Sequence, residues 1–428
     1  MKILIKNVDI ITCDNHKKII KNAYLAIENG YITYIGNDEK KDFKPDRVID
    51  GKNKVLIPGL INAHTHCAMT IFRNFANDLN LEEWLFNNIL PAEEKLLPED
   101  VYWGTLLGIS EMIKTGTTAF LDMYLHMDKV AEAVADAGIR ANLSKNPLDF
   151  DENGKVINED YSFFEKWHNG ENGRLKTSLE VHSVYLYNEE SLTRSAECAK
   201  KLGARINIHI LETVREREDS FKKYKMSPAE IALKTGILDV PVTAAHCVHL
   251  SQKDIEIIKE KKVDVVHNPS SNLKLGSGIA KVPELLKSGI NVALGTDGAA
   301  SNNNLNMMEE MHLAALIHKG VNMDPTCVSA YDVLNMATVN GAKALDFEGE
   351  IGVIKEGMKA DVILIDMDKP HMWPVNDLVS AVVYSVQGSD VDTVIIDGNI
   401  VMEKGEIKTI DEERVKFEVE KTAKRILG

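Results

Sequence analysis

His64-Thr65-His66 closes an apolar run, Val55-Leu56-Ile57-Pro58-Gly59-Leu60-Ile61. In an extended strand, residues two apart point to the same side, so both imidazoles can reach one metal ion from rigid backbone. A strand end with paired histidines points to a catalytic site. Other apolar runs end on polar residues too: Asp122, Lys145, His182, His209 with Glu212, His246, His267 and Asp297. Repetition across separate strands points to one shared pocket.

The elements that must position these residues follow from the pattern between about 58 and 349. Strand-like and helix-like stretches alternate there, the signature of βα units and a parallel sheet. Helical periodicity over 102–114 stops at Gly116, a C-cap signal, before the strand that ends at Asp122. Further strands are expected at 139–144, 177–182, 205–212, 242–246, 263–267 and 291–297. With the strand before His64 these make about eight, and in a (β/α)8 barrel all their C-terminal ends open on one face. Residues 1–57 read as short strands, with a hairpin at Asn29-Gly30, and the same texture returns within 350–428. The expected fold class is α/β: a (β/α)8 TIM barrel over 58–349 with a small β-sandwich built from residues 1–57 and 350–428, the latter ending in a helix.

Composition narrows the function classes. The 428 residues carry a formal charge of −15, which opposes unspecific binding to nucleic acid or anionic membrane. Cys13, Cys67, Cys198, Cys247 and Cys327 form no C-x-x-C pair, and their odd number fits reduced thiols in a cytoplasmic protein. Lys2, Lys6 and Asp9 interrupt the N-terminus, leaving no secretory apolar core, and no segment is apolar for long enough to span a bilayer. No nucleic-acid or membrane partner is expected.

Several longer stretches, in order, resemble the amidohydrolase superfamily, in particular its methylthioadenosine/S-adenosylhomocysteine deaminase branch. They are Pro58-Gly59-Leu60-Ile61-Asn62-Ala63-His64-Thr65-His66, Ile208-His209-Ile210-Leu211-Glu212-Thr213, Ala245-His246-Cys247-Val248-His249, His267-Asn268-Pro269-Ser270-Ser271-Asn272 and Gly295-Thr296-Asp297-Gly298-Ala299-Ala300-Ser301. The resemblance implies one divalent metal ion per subunit held by His64, His66, His209 and Asp297, and a homo-oligomer. Three imidazoles and a carboxylate suit zinc, with iron or manganese able to use the same donors. It further implies that Glu212 shuttles a proton to purine N1, that His246 steadies the attacking water and developing alkoxide, and that Asp297 accepts a proton from that water. The implied reaction is hydrolytic deamination of an adenine nucleoside at C6, giving the inosine analogue and ammonia.

For the substrate, the resemblance puts Glu93 on the ribose hydroxyls and His182 on the purine edge. Trp84, Leu85, Phe86 and Leu90 form an apolar stretch beside Glu93, with Trp84 as the expected aromatic contact. His267 and Asn272 are expected to organise a strand end. Lys145 stands where relatives that accept S-adenosylhomocysteine often carry Arg, and it lacks the bidentate fork that grips a carboxylate. 5′-Methylthioadenosine, 5′-deoxyadenosine, adenosine and S-adenosylhomocysteine therefore all stay open as substrates. A guanine deaminase or an aromatic chlorohydrolase could share the metal ligands, and a non-catalytic interaction protein could share the fold. A binuclear amide hydrolase would need a lysine where this chain has Val181-His182-Ser183.

Overall fold

The middle of the chain forms parallel strands whose C-terminal ends share one rim. The computed structural model describes residues 1–14 and 18–428, to which all counts refer. Eight strands follow in sequential order: β1 (Leu60–Thr65), β2 (Thr117–Met123), β3 (Arg140–Ser144), β4 (Leu175–Ser183), β5 (Ile206–Ile210), β6 (Val242–His246), β7 (Asp264–His267) and β8 (Val292–Leu294). All neighbouring pairs from β1 to β8 are parallel. The ring closes just past β8, where the Asp297 amide donates to the His64 carbonyl at 3.0 Å.

Helices on the outside return the chain between strands. The helix Pro98–Lys114 begins with proline in its first turn, where a missing N–H costs nothing, and Asp100 accepts from the Leu97 amide at 2.6 Å. It ends before Gly116, whose φ of +91° suits a residue without Cβ. Two expected strands are shorter than their apolar runs. β5 stops at Ile210 because Leu211 takes φ +53°, and β8 stops at Leu294 because the chain turns through Gly295 towards Asp297 at φ +61°. These breaks turn Glu212 and Asp297 off the ladders towards the barrel mouth.

Both ends of the chain contribute to a second sheet of nine strands. Its central joint pairs Lys54–Pro58 with Val362–Asp366 in antiparallel register, Ile57 opposite Ile363. Period-two alternation gives the joint two buried faces. Leu56, Val362 and Leu364 point into a core shared with Ile3, Ile5 and Leu25, whereas Val55, Ile57, Ile363 and Ile365 pack towards the barrel. The sandwich is thus one hydrogen-bonded sheet folded about its own core. Asn29 and Gly30, both left-handed, make the expected hairpin between Ile19–Glu28 and Tyr31–Gly36.

A buried ion pair ties sheet to barrel. Arg140, at the start of β3, donates from Nε and Nη2 to the two Asp361 carboxylate oxygens, each at 2.9 Å. The terminal helix Glu412–Leu427 packs on Pro98–Lys114, and Arg425 pairs with Asp100. Among the described residues no helix is long and apolar enough to cross a membrane.

Candidate metal and active site

β1 and β5 each deliver histidine nitrogens to one point. His66 Nδ1 lies 2.7 Å from the Met123 carbonyl and His209 Nδ1 lies 2.7 Å from the His182 carbonyl. A carbonyl only accepts, so each Nδ1 carries the proton and each Nε2 keeps its lone pair. Those two Nε2 atoms stand 3.3 Å apart. His64 is fully buried, and neither of its ring nitrogens has a hydrogen-bond partner. A buried imidazole without partners is costly unless something else takes its lone pair.

Asp297 completes the cluster. Its Oδ1 lies 3.5 Å from His64 Nε2 and 3.3 Å from His66 Nε2, and it also accepts from the Gly298 amide at 2.8 Å. Ser271 and Ser301 donate to Oδ2 at 2.7 and 2.9 Å, fixing the rotamer. The turn needs Gly295: a Cβ there would stand 2.8 Å from the His64 amide nitrogen. Two sets of donor atoms, His64/His66/His209 and His64/His246/Asp297, each lie within 4.8 Å of one another. Burial, helped by the neighbouring imidazoles, pushes His64 down to about 4 against the opposing pull of Asp297, and pushes His182 down to about 3. His209 is likewise held well below its ordinary value, chiefly by burial. Burial would raise Asp297, but the adjacent His64 and the surrounding imidazoles hold it well below the usual carboxylate range. Neutral imidazoles and an ionised carboxylate are the protonation states a divalent cation requires, so these residues fit the implied metal.

Glu212, just past β5, and His246, at the end of β6, face this cluster. Glu212 accepts from Ser277 at 3.2 Å, and burial raises its carboxyl. Its turn is held by the buried Glu216, which accepts from the Leu211 and Glu212 amides at 3.0 and 2.8 Å. His246, at φ +71°, directs Nδ1 to Asn272 Oδ1 at 2.8 Å and Nε2 to within 3.9 Å of Glu212 Oε2. Burial would lower His246, but the carboxylates of Glu212 and Asp297 outweigh it and the net shift is upward. Non-glycine residues in the left-handed region at both strand ends are strained, and such strain clusters at functional sites.

A cavity of about 220 Å³ opens over the cluster, its wall including His66, His209, Glu212, His246 and Asp297. The structure brings Trp84, Glu93 and His182 to the same wall. Burial raises the Glu93 carboxyl, with the neighbouring Tyr124 and His66 opposing the shift. Lys145 is not brought there. Its Nζ lies 4.0 Å from Asp128 and 3.7 Å from Asp160, and it does not line the cavity. Asp128 and Asp160, on segments flanking the end of β3, are the countercharges beside its ammonium group. Sequence reasoning passed over Tyr124, Tyr185 and Glu180, which also line the wall. Glu180 was detectable, since it stands two residues before His182 on the same face of β4.

The amidohydrolase family model matches residues 55–401. The chain belongs to the amidohydrolase family. A relative from Acetivibrio thermocellus, named 5-methylthioadenosine/S-adenosylhomocysteine deaminase, is 67% identical over 430 aligned residues covering 100% of both chains. A relative of the same name from Thermoanaerobacter pseudethanolicus is 50% identical, again over 100% of both chains. Among solved structures, an adenosine deaminase from Xanthomonas campestris with bound zinc superposes with a TM-score of 0.93 at 30% identity, covering 99% of this chain and 98% of that one. As an amidohydrolase the chain keeps the family's barrel and a histidine–aspartate metal-site group.

Proposed function

We propose that this amidohydrolase deaminates an adenine nucleoside at C6, replacing the exocyclic amine by oxygen and releasing ammonia. The observation that carries the reading is that Glu212 and His246 share one cavity with the His64/His66/His209/Asp297 cluster, while Glu93 lines the same cavity on another segment. The names of the two relatives above support the same class.

His64, His66, His209 and Asp297 would hold a divalent cation, with zinc favoured by the donor set. When bound, it supplies the Lewis acidity that makes hydroxide available at neutral pH. Glu212, its carboxyl raised by burial, keeps a proton to give to purine N1 as the C6 oxygen bond forms, leaving C6 tetrahedral. His246, held by Asn272, presents Nε2 to the charge developing on that oxygen. Asp297 accepts the first proton of the attacking water. Glu212, emptied by protonating N1, accepts the proton left on the C6 oxygen and passes it to the amine, which leaves as ammonia as the C6–N bond breaks and the C6 carbonyl forms. The proton on Asp297 then restores Glu212. Glu93 would accept hydrogen bonds from neighbouring ribose hydroxyls, a contact a free base cannot make. His182 and Trp84 would border the purine.

The cavity's acidic lining residues are Glu93, Glu180, Glu212 and Asp297, and no lysine or arginine stands among its lining residues. That lining supports neutral 5′ groups, as in 5′-methylthioadenosine, 5′-deoxyadenosine and adenosine, over the charged tail of S-adenosylhomocysteine. The reading includes a homo-oligomer, to be checked by light scattering, and a reducing, cytoplasmic setting, which the five free cysteines support. The test is incubation of the zinc-loaded protein with these four nucleosides, following ammonia and the ultraviolet spectrum. Turnover of none of them would remove the nucleoside reading.

A further inference from the structure

β4 alternates between two environments. Leu175, Leu179 and Val181 pack into the apolar core outside the barrel. The other register, Ser178, Glu180 and His182, faces inward: Ser178 Oγ lies 2.7 Å from Ser144 Oγ on β3, and the His182 ring centre lies 4.7 Å from that of His209 on β5. Glu180 therefore sits one layer beneath the histidines, and its side chain lines the cavity.

Its carboxyl differs from the others there. Glu212 accepts from Ser277, Asp297 accepts from two serines and an amide, and Glu93 has Tyr124. Among the described residues, none forms a hydrogen bond or ion pair with the Glu180 carboxyl. Burial, reinforced by the charge of Asp122, pushes it up to about 8, so at neutral pH it offers an O–H donor as well as an acceptor. A buried polar group without a protein partner is unfavourable unless a ligand completes it. The groups that feel its charge are Asp122 on β2 and Tyr187 beyond β4, whereas Glu212 and Asp297 follow β5 and β8. Glu180 thus lies on the β2–β4 side of the cavity, away from Glu212 and Asp297.

We infer that Glu180 is a specificity-determining residue that hydrogen-bonds a sugar oxygen of the bound nucleoside from the cavity floor. The inference rests on the nucleoside reading above. It is tested with kcat and KM of the zinc-loaded protein for adenosine and its 2′-, 3′- and 5′-deoxy analogues, in wild type, Glu180→Met and Glu180→Gln, with zinc content measured alongside. Methionine should raise KM for adenosine about 10-fold with a smaller change in kcat, and glutamine should recover most of that loss. The methionine penalty should shrink to about 2-fold for the analogue lacking the partnered hydroxyl. Glu180→Leu must give the same pattern and stands in should the methionine variant fail to fold. A KM unchanged by methionine, a penalty equal across all four nucleosides, or a loss that tracks zinc content overturns the role of Glu180. Failure of the wild type on every nucleoside would instead overturn the nucleoside reading itself.

Discussion

His246 Nδ1 lies 2.8 Å from Asn272 Oδ1, a contact between the end of β6 and the short helix Pro269–Lys274 that follows β7. The bond orients the imidazole and leaves Nε2 towards Glu212. Asn272→Leu should lower kcat about 10-fold, the usual effect of losing an orienting partner, without changing zinc content. Asn272→Asp keeps an acceptor and should retain more turnover. Steady-state kinetics and metal analysis on the two variants decide this, and equal rates would remove Asn272 from the site.

Glu212 is expected to carry protons and no metal. Glu212→Gln preserves shape and removes the acid, so turnover should fall about 10²- to 10⁴-fold with zinc content intact. Near-normal turnover would exclude the shuttle.

His209 should behave in the opposite way. Its Nδ1 is committed to the His182 carbonyl and its Nε2 faces His66. His209→Ala should weaken metal binding at least about 10-fold, read by competition with a chromogenic chelator. Because a ligand bound only by the folded state stabilises it, stripping zinc should also lower the wild-type melting temperature. The alanine variant should show little of that response.

Glu180 has a pH signature in stability. Its folded value is about 8 against an ordinary 4.5, so the folded state holds a proton that the unfolded chain has released. Its contribution to stability is fully present below about pH 4.5 and is lost as pH rises through about 8. Glu180→Gln carries no titrating group, so its melting temperature should gain on the wild type progressively between those limits. A constant gap from pH 5 to 8 would mean that Glu180 is ionised throughout.

Arg140 and Asp361 are both almost wholly buried, with side chains 0% and 1% exposed. Arg140→Met leaves a buried carboxylate without its countercharge and should cost about 3–5 kcal/mol in chemical denaturation. Adding Asp361→Asn should recover part of that loss. Additive losses would show that the two residues act independently.

Much of this architecture was readable in the residues because strand ends and chemistry coincide. The run 242–246 is a strand over that very span, and the Asn29-Gly30 hairpin follows from two residues that tolerate positive φ. His64, His66, His209 and Asp297 do converge, since residues at the rim of a parallel barrel have nowhere else to point. Lys145 shows the limit. Its place at the end of β3 was legible, but the direction of a long side chain depends on Asp128 and Asp160, which only folding brings near. The grip of Glu216 on the Glu212 turn and of Asn272 on His246 was hidden for the same reason, being set by backbone turns at Leu211 and His246 that no periodicity reveals.

The pairing of Lys54–Pro58 with Val362–Asp366 also bears on how the protein is made. The strand leading into His64 and His66 has its sheet neighbour near the far end of the chain. During synthesis the ribosome releases His64 and His66 long before the segment that seals the strand beside them. Loop closure of that span makes the joint a late and slow event in folding. Chains stalled before residue 362 should expose an apolar edge that chaperones would have to cover.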